Sequence, residues 1–289
     1  MGIRFHDVTY SYEEGCPLES AALRGIRLEL EEGRFIGILG RAGSGKSTLL
    51  QHFNGILRPS SGSLHILDFH IRAGEPLPNA QLLRKRVGLV FQFPEQQLFA
   101  ETVEKDLCFG PLQFGATAPQ AREMAERAAE SLGLERELLP LSPFRLSGGQ
   151  MRKAAIASVL ATNPDVFVLD EPTAALDARS REDLLGLLRQ LCERDRKTIV
   201  VVTHRLEELL PYADRFIVLD RGTVTFQGTA AEIWGRPELL EETGIPVPKP
   251  LRLRQALMRD FGIPLPPNGS PADWADQIER AFARRKDES

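Results

Sequence analysis

An α/β fold is predicted for this chain, and three observations carry the prediction. Short apolar runs recur at Phe35–Leu39, Val87–Phe91, Val166–Leu169 and Thr198–Val202, the composition of buried strands. Stretches of helical period lie between them, most plainly Ala121–Leu132 and residues 179–194. The first run leads directly into Gly40-Arg41-Ala42-Gly43-Ser44-Gly45-Lys46-Ser47, which fits G-x-x-x-x-G-K-[ST]. A periodic apolar segment follows, with Leu49, Leu50, Phe53, Ile56 and Leu57 at helical spacing. Strand, glycine turn and helix together are the context that gives this motif a mechanism. The glycines let successive backbone N–H groups and the helix N-terminus converge on one point, the geometry of a phosphate cradle. Lys46 adds a positive charge for the β- and γ-phosphates, and Ser47 offers a hydroxyl for Mg²⁺. The segment is therefore expected to hold a nucleoside triphosphate.

With 289 residues, the chain has room for one large α/β domain and an appendage. Its formal charge of −4 gives no sign of a general nucleic-acid binder. Cys16, Cys108 and Cys192 are far apart with no C-x-x-C spacing, which suggests a reducing compartment and no cysteine-held metal. No signal-peptide core or membrane-length apolar stretch is present, so any membrane association is expected to run through other chains.

In chain order, residues 3–10 and 22–30 read as strands flanking a turn-rich loop, Ser11–Ser20. Tyr12 in that loop is either a base-stacking aromatic or a half-exposed edge residue. After the phosphate-loop helix come a short strand (63–67), a loop with Gly74, Pro76 and Pro78, and a basic helix ending Arg84-Lys85-Arg86. The strand Val87–Phe91 ends at Gln92, placed either to reach a bound ion or water or simply as a surface amide. Phe93–Phe99 reads as a short exposed helix whose apolar side chains could form a docking surface or the rim of a core. Residues 101–142 look mostly helical, punctuated by Pro111, Gly115 and Pro119.

Leu146-Ser147-Gly148-Gly149-Gln150 opens a helix over Met151–Ala161, with Ser147 as a good N-cap and the glycines leaving its tip open to a phosphate. An apolar strand then delivers Asp170 and Glu171. Two adjacent carboxylates at the edge of a core need something to bind, and Mg²⁺ for Asp170 and a water for Glu171 would serve. Asp177 leads into helix 179–194, and strand 198–202 ends at Thr203-His204, where a lone histidine is more often structural than functional. Strands 215–220 and 223–227 and a helix near 229–234 close the frame.

Taken together and in this order, the phosphate loop, Gln92, LSGGQ, VFVLDEP, ALD and His204 resemble the nucleotide-binding subunits of ABC transporters over residues 1–235. The resemblance implies a P-loop NTPase domain of ABC type: a parallel-sheet core, an antiparallel β subdomain and a helical subdomain at about residues 92–163. It implies ATP and Mg²⁺ as cofactors. Tyr12 would stack on adenine, Gly40–Thr48 would form the Walker A loop, and Ser47, Gln92 and Asp170 would hold the metal. Glu171 would be the catalytic glutamate, His204 the switch histidine and Asp177 the end of the D-loop, with Lys46 and Gln92 sharing in catalysis. Two such chains meet head to tail, so Ser147, Gly148, Gly149 and Gln150 of one would complete the phosphate shell of the other.

Within that family VGLVFQFPEQQLFAETVEKDLCFGP and PFRLSGGQMRKAAIASVLATNPDVFVLDEPTAALD are similar to the ATPases of energy-coupling factor transporters, including cobalt and nickel importers. That implies a second ATPase subunit (identical or paralogous), a transmembrane coupling subunit and a substrate-binding membrane subunit as partners. It also implies a place at the cytoplasmic face of the membrane and uptake of a vitamin or transition-metal ion. Residues 236–289 would be a small C-terminal helical extension that helps ATPase subunits associate, or a cap on its own core, with Trp274, Ile278 and Phe282 on one helix face. Arg41-Ala42 and Ala175 depart from the family pattern without removing a catalytic group, although Arg41 could alter pairing. The rival expectations are the ATPase of a conventional ABC transporter and a soluble ABC-type ATPase acting on nucleic acid or ribosomes. The latter usually carries two cassettes or a long coiled coil, and neither is present here. A P-loop metabolic kinase would leave LSGGQ and the DEP run unexplained.

Overall fold

A computed structural model describes residues 2–12, 21–77, 79–265 and 271–287. Cys16 and most of the Ser11–Ser20 loop, Pro78 and Pro266 lie outside the described residues, as does the side chain of Phe282.

The chain opens with β1 (Gly2–Tyr10) and β2 (Leu23–Glu31), paired antiparallel with Ile3 opposite Leu30 and Phe5 opposite Leu28. β3 (Phe35–Leu39) runs into the glycine loop and α1 (Lys46–Phe53), after which β4 (Ser61–Ile66) and β5 (Phe69–Arg72) extend the first sheet. α2 (Ala80–Arg86) leads to β6 (Val87–Val90), and α3 (Val103–Gln113), α4 (Ala118–Ser131) and α5 (Gly148–Leu160) form a helical layer before β7 (Val166–Asp170). Then come α6 (Ala178–Asp195), β8 (Thr198–Thr203), α7 (Leu206–Leu209), β9 (Arg215–Asp220) and β10 (Thr223–Gly228). The C-terminal part is helical: α8 (Ala230–Trp234), α9 (Pro237–Glu242), α10 (Lys249–Phe261) and α11 (Pro271–Asp287).

The first sheet is antiparallel in the order β2-β1-β4-β5, and the second runs β10-β9-β3-β8-β7-β6 with every pair from β9 to β6 parallel. Its central strands are buried on both faces, which is why they read as unbroken apolar runs. Alternate residues supply two cores. Phe35, Leu39, Phe167, Leu169, Ile199, Val201 and Phe216 join the helical layer, whereas Ile36, Ile38, Val168, Val200, Val202 and Ile217 pack with α1 and the antiparallel sheet. Because β3, β8, β7 and β6 are parallel neighbours, their carboxyl ends share one edge, where ligands bind in open α/β sheets.

Several sequence expectations are adjusted. α1 stops at Phe53, since Gly55 turns left-handed (φ 68°) and Ile56 is exposed. β5 and α9, of four and six residues, are too short to leave a periodic signal. The expected exposed apolar helix at 93–99 is a 3₁₀ turn, Pro94–Gln97, and only part of its apolar surface faces water. Phe99 is 65 % exposed while Leu98 is 6 % exposed and belongs to the core, so Leu98 is not a surface residue.

Candidate nucleotide-binding and hydrolysis site

The glycine loop leaves β3 with Gly40, Gly43 and Gly45 all at positive φ (158°, 78° and 98°). A Cβ on Gly45 would stand 2.6 Å from the Ala22 carbonyl oxygen, so only glycine fits there. The loop curls over Lys46, which is buried and donates from Nζ to the Gly40 and Arg41 carbonyls at 2.6 and 2.8 Å. Burial lowers the Lys46 pKa, against the opposing pull of Glu171 and Asp170. The Ser44 hydroxyl is 2 % exposed and has no hydrogen-bond partner among the described residues. An orphaned hydroxyl at the heart of a glycine cradle fits a phosphate oxygen as its missing acceptor. Arg41 turns outward to Asp220 (3.5 Å), and Ala42 is exposed.

Ser47, at the start of α1, donates to Asp170 Oδ2 at 2.7 Å across the β3–β7 gap. Asp170 is 6 % exposed. Burial raises its pKa, and the Ser47 bond partly opposes this. Two hard oxygen donors in contact, one of them a carboxylate, suit Mg²⁺, which is usually bound through one or two carboxylates together with water and substrate phosphate oxygens. The donor set therefore fits the ion. Gln92 lies just past the end of β6 and is exposed.

Glu171 follows Asp170 in the left-handed region (φ 46°), its N–H donating to the Val202 carbonyl at 2.9 Å. This turns the carboxylate toward β8, where it accepts from Thr203 Oγ1 (3.0 Å) and the His204 N–H (3.1 Å) and lies 2.7 Å from His204 Nδ1. His204, read on its own as a lone histidine, is thus in direct contact with the carboxylate. The Tyr12 hydroxyl shares a hydrogen bond with Thr48 Oγ1 (3.0 Å), and its ring packs edge-on against Tyr10, which packs in turn against His52. Tyr12 is 64 % exposed, leaving a ring face free for a base.

The signature residues stand elsewhere. Ser147 and Gln150 form a capping box at the start of α5, with Gln150 N–H to Ser147 Oγ (3.3 Å) and Ser147 N–H to Gln150 Oε1 (2.9 Å). A Cβ on Gly148 or Gly149 would meet nothing within 4 Å, so this tip is open. It borders a cleft shared with Leu176, Ser180 and Asp183, away from the glycine loop of its own chain. Asp177 caps α6 through the Ser180 N–H (3.0 Å).

Two polar clusters behind these residues were not anticipated. Buried Arg152 pairs with Glu95, and Glu208 accepts from Thr173 (2.7 Å), Arg181 (2.5 Å) and Arg205 (2.9 Å). Burial pushes Glu208 up, yet the bonds from Thr173, Arg205 and Arg181 carry it below its usual range. The available sequence signal for Arg152 was a charge three and four positions before Ala155 and Ile156, on the buried side of α5.

Residues 23–174 match the ABC transporter family. The chain is 45 % identical over 266 residues to the energy-coupling factor transporter ATP-binding protein EcfA2 of Bacillus cereus, covering 92 % of this chain and 91 % of that one. Against EcfA2 of Geobacillus kaustophilus it is 43 % identical, with 98 % of both chains covered. Among solved structures it is similar to cbiO1 from Clostridium perfringens, part of the ABC transporter complex cbiONQ (TM-score 0.73, 32 % identity, 88 % of this chain and 98 % of that one). It is also similar to the ATP-binding cassette MJ0796 in a dimeric post-hydrolysis state with ADP and Pi (TM-score 0.68, 30 % identity, 78 % and 98 %). With its phosphate loop, paired carboxylates and signature helix in these places, the chain belongs to the ABC transporter family, among the energy-coupling factor ATP-binding proteins, and is an ATPase.

Proposed function

We propose that this chain powers an energy-coupling factor importer for a vitamin or a transition-metal ion, working as one of two ATPase subunits at the cytoplasmic face of a membrane. The observation that carries the reading is Glu171, whose carboxylate is fixed by Thr203 and His204 beside the Ser47–Asp170 pair. Residues 1–235 form the ATPase domain, with a helical subdomain at about 92–163, and residues 236–289 form an extension for subunit contact. Two chains face each other head to tail, so the open tip at Ser147–Gln150 meets the triphosphate held by Gly40–Thr48 of the other chain. An exposed signature that borders a cleft of its own supports this arrangement, as does the dimeric state of MJ0796.

In each site Tyr12 stacks on adenine, and the loop amides with Ser44 hold the phosphates. Lys46 leaves its two carbonyl partners for phosphate oxygens. Ser47, Asp170 and Gln92 hold Mg²⁺, which when bound neutralises charge on the phosphates. Glu171 orients the attacking water and accepts its proton, while His204 keeps that carboxylate aimed and reaches the γ-phosphate. Phosphoryl transfer depends mainly on positioning and charge stabilisation, so these contacts act through geometry. The transmembrane coupling subunit docks where Phe99 and Phe109 stack edge-on, 5.0 Å between centroids and both exposed, and the substrate-binding subunit joins through it. Among the described residues no helix is long and apolar enough to cross a membrane, which is consistent with attachment through such partners.

Glu171→Gln is the decisive variant. It is expected to bind ATP, form an ATP-dependent dimer and lose roughly 10²-fold or more of turnover, the scale seen when a transition-state group is removed. Unchanged turnover would remove Glu171 from the mechanism, and a strictly monomeric state with MgATP would overturn the facing arrangement.

A further inference from the structure

A buried arginine connects the docking segment to the parts of the site offered to the facing chain. Arg152, in the second turn of α5, is 3 % exposed. Its Nε and Nη2 donate to the two oxygens of Glu95 at 3.1 and 2.8 Å, a bidentate pair. Its Nη1 donates to the Pro172 carbonyl at 3.3 Å and to the Ala174 carbonyl. The guanidinium carbon lies 6.0 Å from the centroid of Phe93. One side chain therefore joins the 3₁₀ turn after Gln92, the signature helix and the loop between Glu171 and Asp177.

The chemistry of the residue suits a rigid joint. A guanidinium presents its donors in a fixed planar fork, so meeting a carboxylate on one edge and two carbonyls on the other fixes the angle between them. The loop it grips is held in an unusual shape, with Glu171 at φ 46° and Ala175 at φ 61° on either side of the gripped carbonyls. Breaking one arm leaves charge and carbonyls buried without partners, so the three segments are expected to move together or not at all.

We infer that Arg152 is a positioning residue that locks the docking turn, the signature tip and the Pro172–Ala174 loop into one body, so that a shift at the membrane partner reaches the facing chain's triphosphate. The inference rests on the head-to-tail reading above. It is tested in the Glu171→Gln background by adding Arg152→Lys, which keeps the charge but loses the fork, or Glu95→Gln, which keeps the shape but loses the charge. MgATP-driven dimerisation is read by sedimentation, nucleotide affinity of the dilute monomer by titration, and folding by the thermal transition.

Each change is expected to weaken the nucleotide-driven dimer roughly tenfold, within the usual range of coupling between sites, while monomer ATP affinity stays at the parent value. The double change is expected to be no worse than Arg152→Lys alone, because both sever the same joint. Because Glu95 is partly exposed, Glu95→Gln keeps the test informative if Arg152→Lys folds poorly. Dimerisation equal to the parent in folded Glu95→Gln protein would overturn the inference and leave the facing arrangement standing. A parallel loss of monomer ATP affinity would reduce Arg152 to general structural support and also overturn it. A parent that remains monomeric with MgATP would overturn both.

Discussion

At Lys46 burial lowers the pKa of the ammonium, and the nearby Glu171 and Asp170 charges oppose that shift. Two carbonyl bonds aim it at the loop, ready to be exchanged for phosphate. Lys46→Ala is expected to abolish measurable ATP binding in a titration with the folded protein, and normal affinity would contradict the loop's role. His52 presents a different physics. Fully buried, with Nδ1 2.7 Å from the Thr48 carbonyl and Nε2 unpartnered among the described residues, it has a pKa pushed down from 6.5 to about 4. Its neutral form is the one that folds. Below about pH 6.5 the unfolded chain takes up the proton first, so stability is lost as pH falls toward about 4, by about 3 kcal/mol in full. His52→Leu is expected to flatten that part of the pH dependence when unfolding is followed by denaturant at neutral pH and near pH 4.5. An unchanged slope would place the acid sensitivity elsewhere.

Among the elements, the segment after β6 separates two neighbouring apolar residues into different tasks. Asp106 of α3 accepts from the N–H groups of Phe99 and Ala100 (3.1 Å each), which pins the chain so that Leu98 enters the core and Phe99 stands out beside Phe109. Leu98→Ala is expected to cost about 2–5 kcal/mol of stability, the usual range for a buried leucine. Phe99→Glu is expected to cost no more than about 1.5 kcal/mol, the scale of the edge-on pair with Phe109 that it removes. The same change should release the membrane subunits during purification in mild detergent. Membrane subunits that still co-purify with folded Phe99→Glu protein would relocate the docking surface.

Over the whole molecule, the C-terminal part passes close to the phosphate loop. α9 ends at Glu242, and Gly244 just beyond it is in the left-handed region (φ 65°), where an added Cβ would come within 3.2 Å of Arg41 Cδ. Farther along, Trp234 and Trp274 meet edge to face at 6.4 Å, and Leu257, Ile263 and Leu265 complete a small core separate from the two large ones. Arg41 thus lies close to the start of the C-terminal part of its own chain. Gly244→Ala is expected to cost about 1 kcal/mol, because a left-handed backbone disfavours a side chain there. ATP affinity is expected to fall with it as Arg41 is displaced. Thermal unfolding and nucleotide titration check the two parts separately, and unchanged values in both would show that this contact is idle.

Much of this was legible in the sequence because it depends on local chemistry. Phe35–Leu39 could be read to the residue because a strand buried on both faces leaves no polar position. The phosphate loop, Ser147 as a cap and the Asp170–Glu171 pair each follow from neighbours a few positions away. The sequence by itself therefore determined where the glycine loop, its lysine and the paired carboxylates fall and where the central strands lie. Only the tertiary structure decided which distant residues meet. Glu171 finds His204 because β7 and β8 are adjacent and parallel, and Ser47 finds Asp170 because β3 and β7 flank β8. Arg152 reaches Glu95 across 57 positions, and Leu98 parts from Phe99 through a carboxylate on another element. Pairings of this kind are set by strand order and by the need to satisfy buried charge, and neither leaves a periodic trace along the chain.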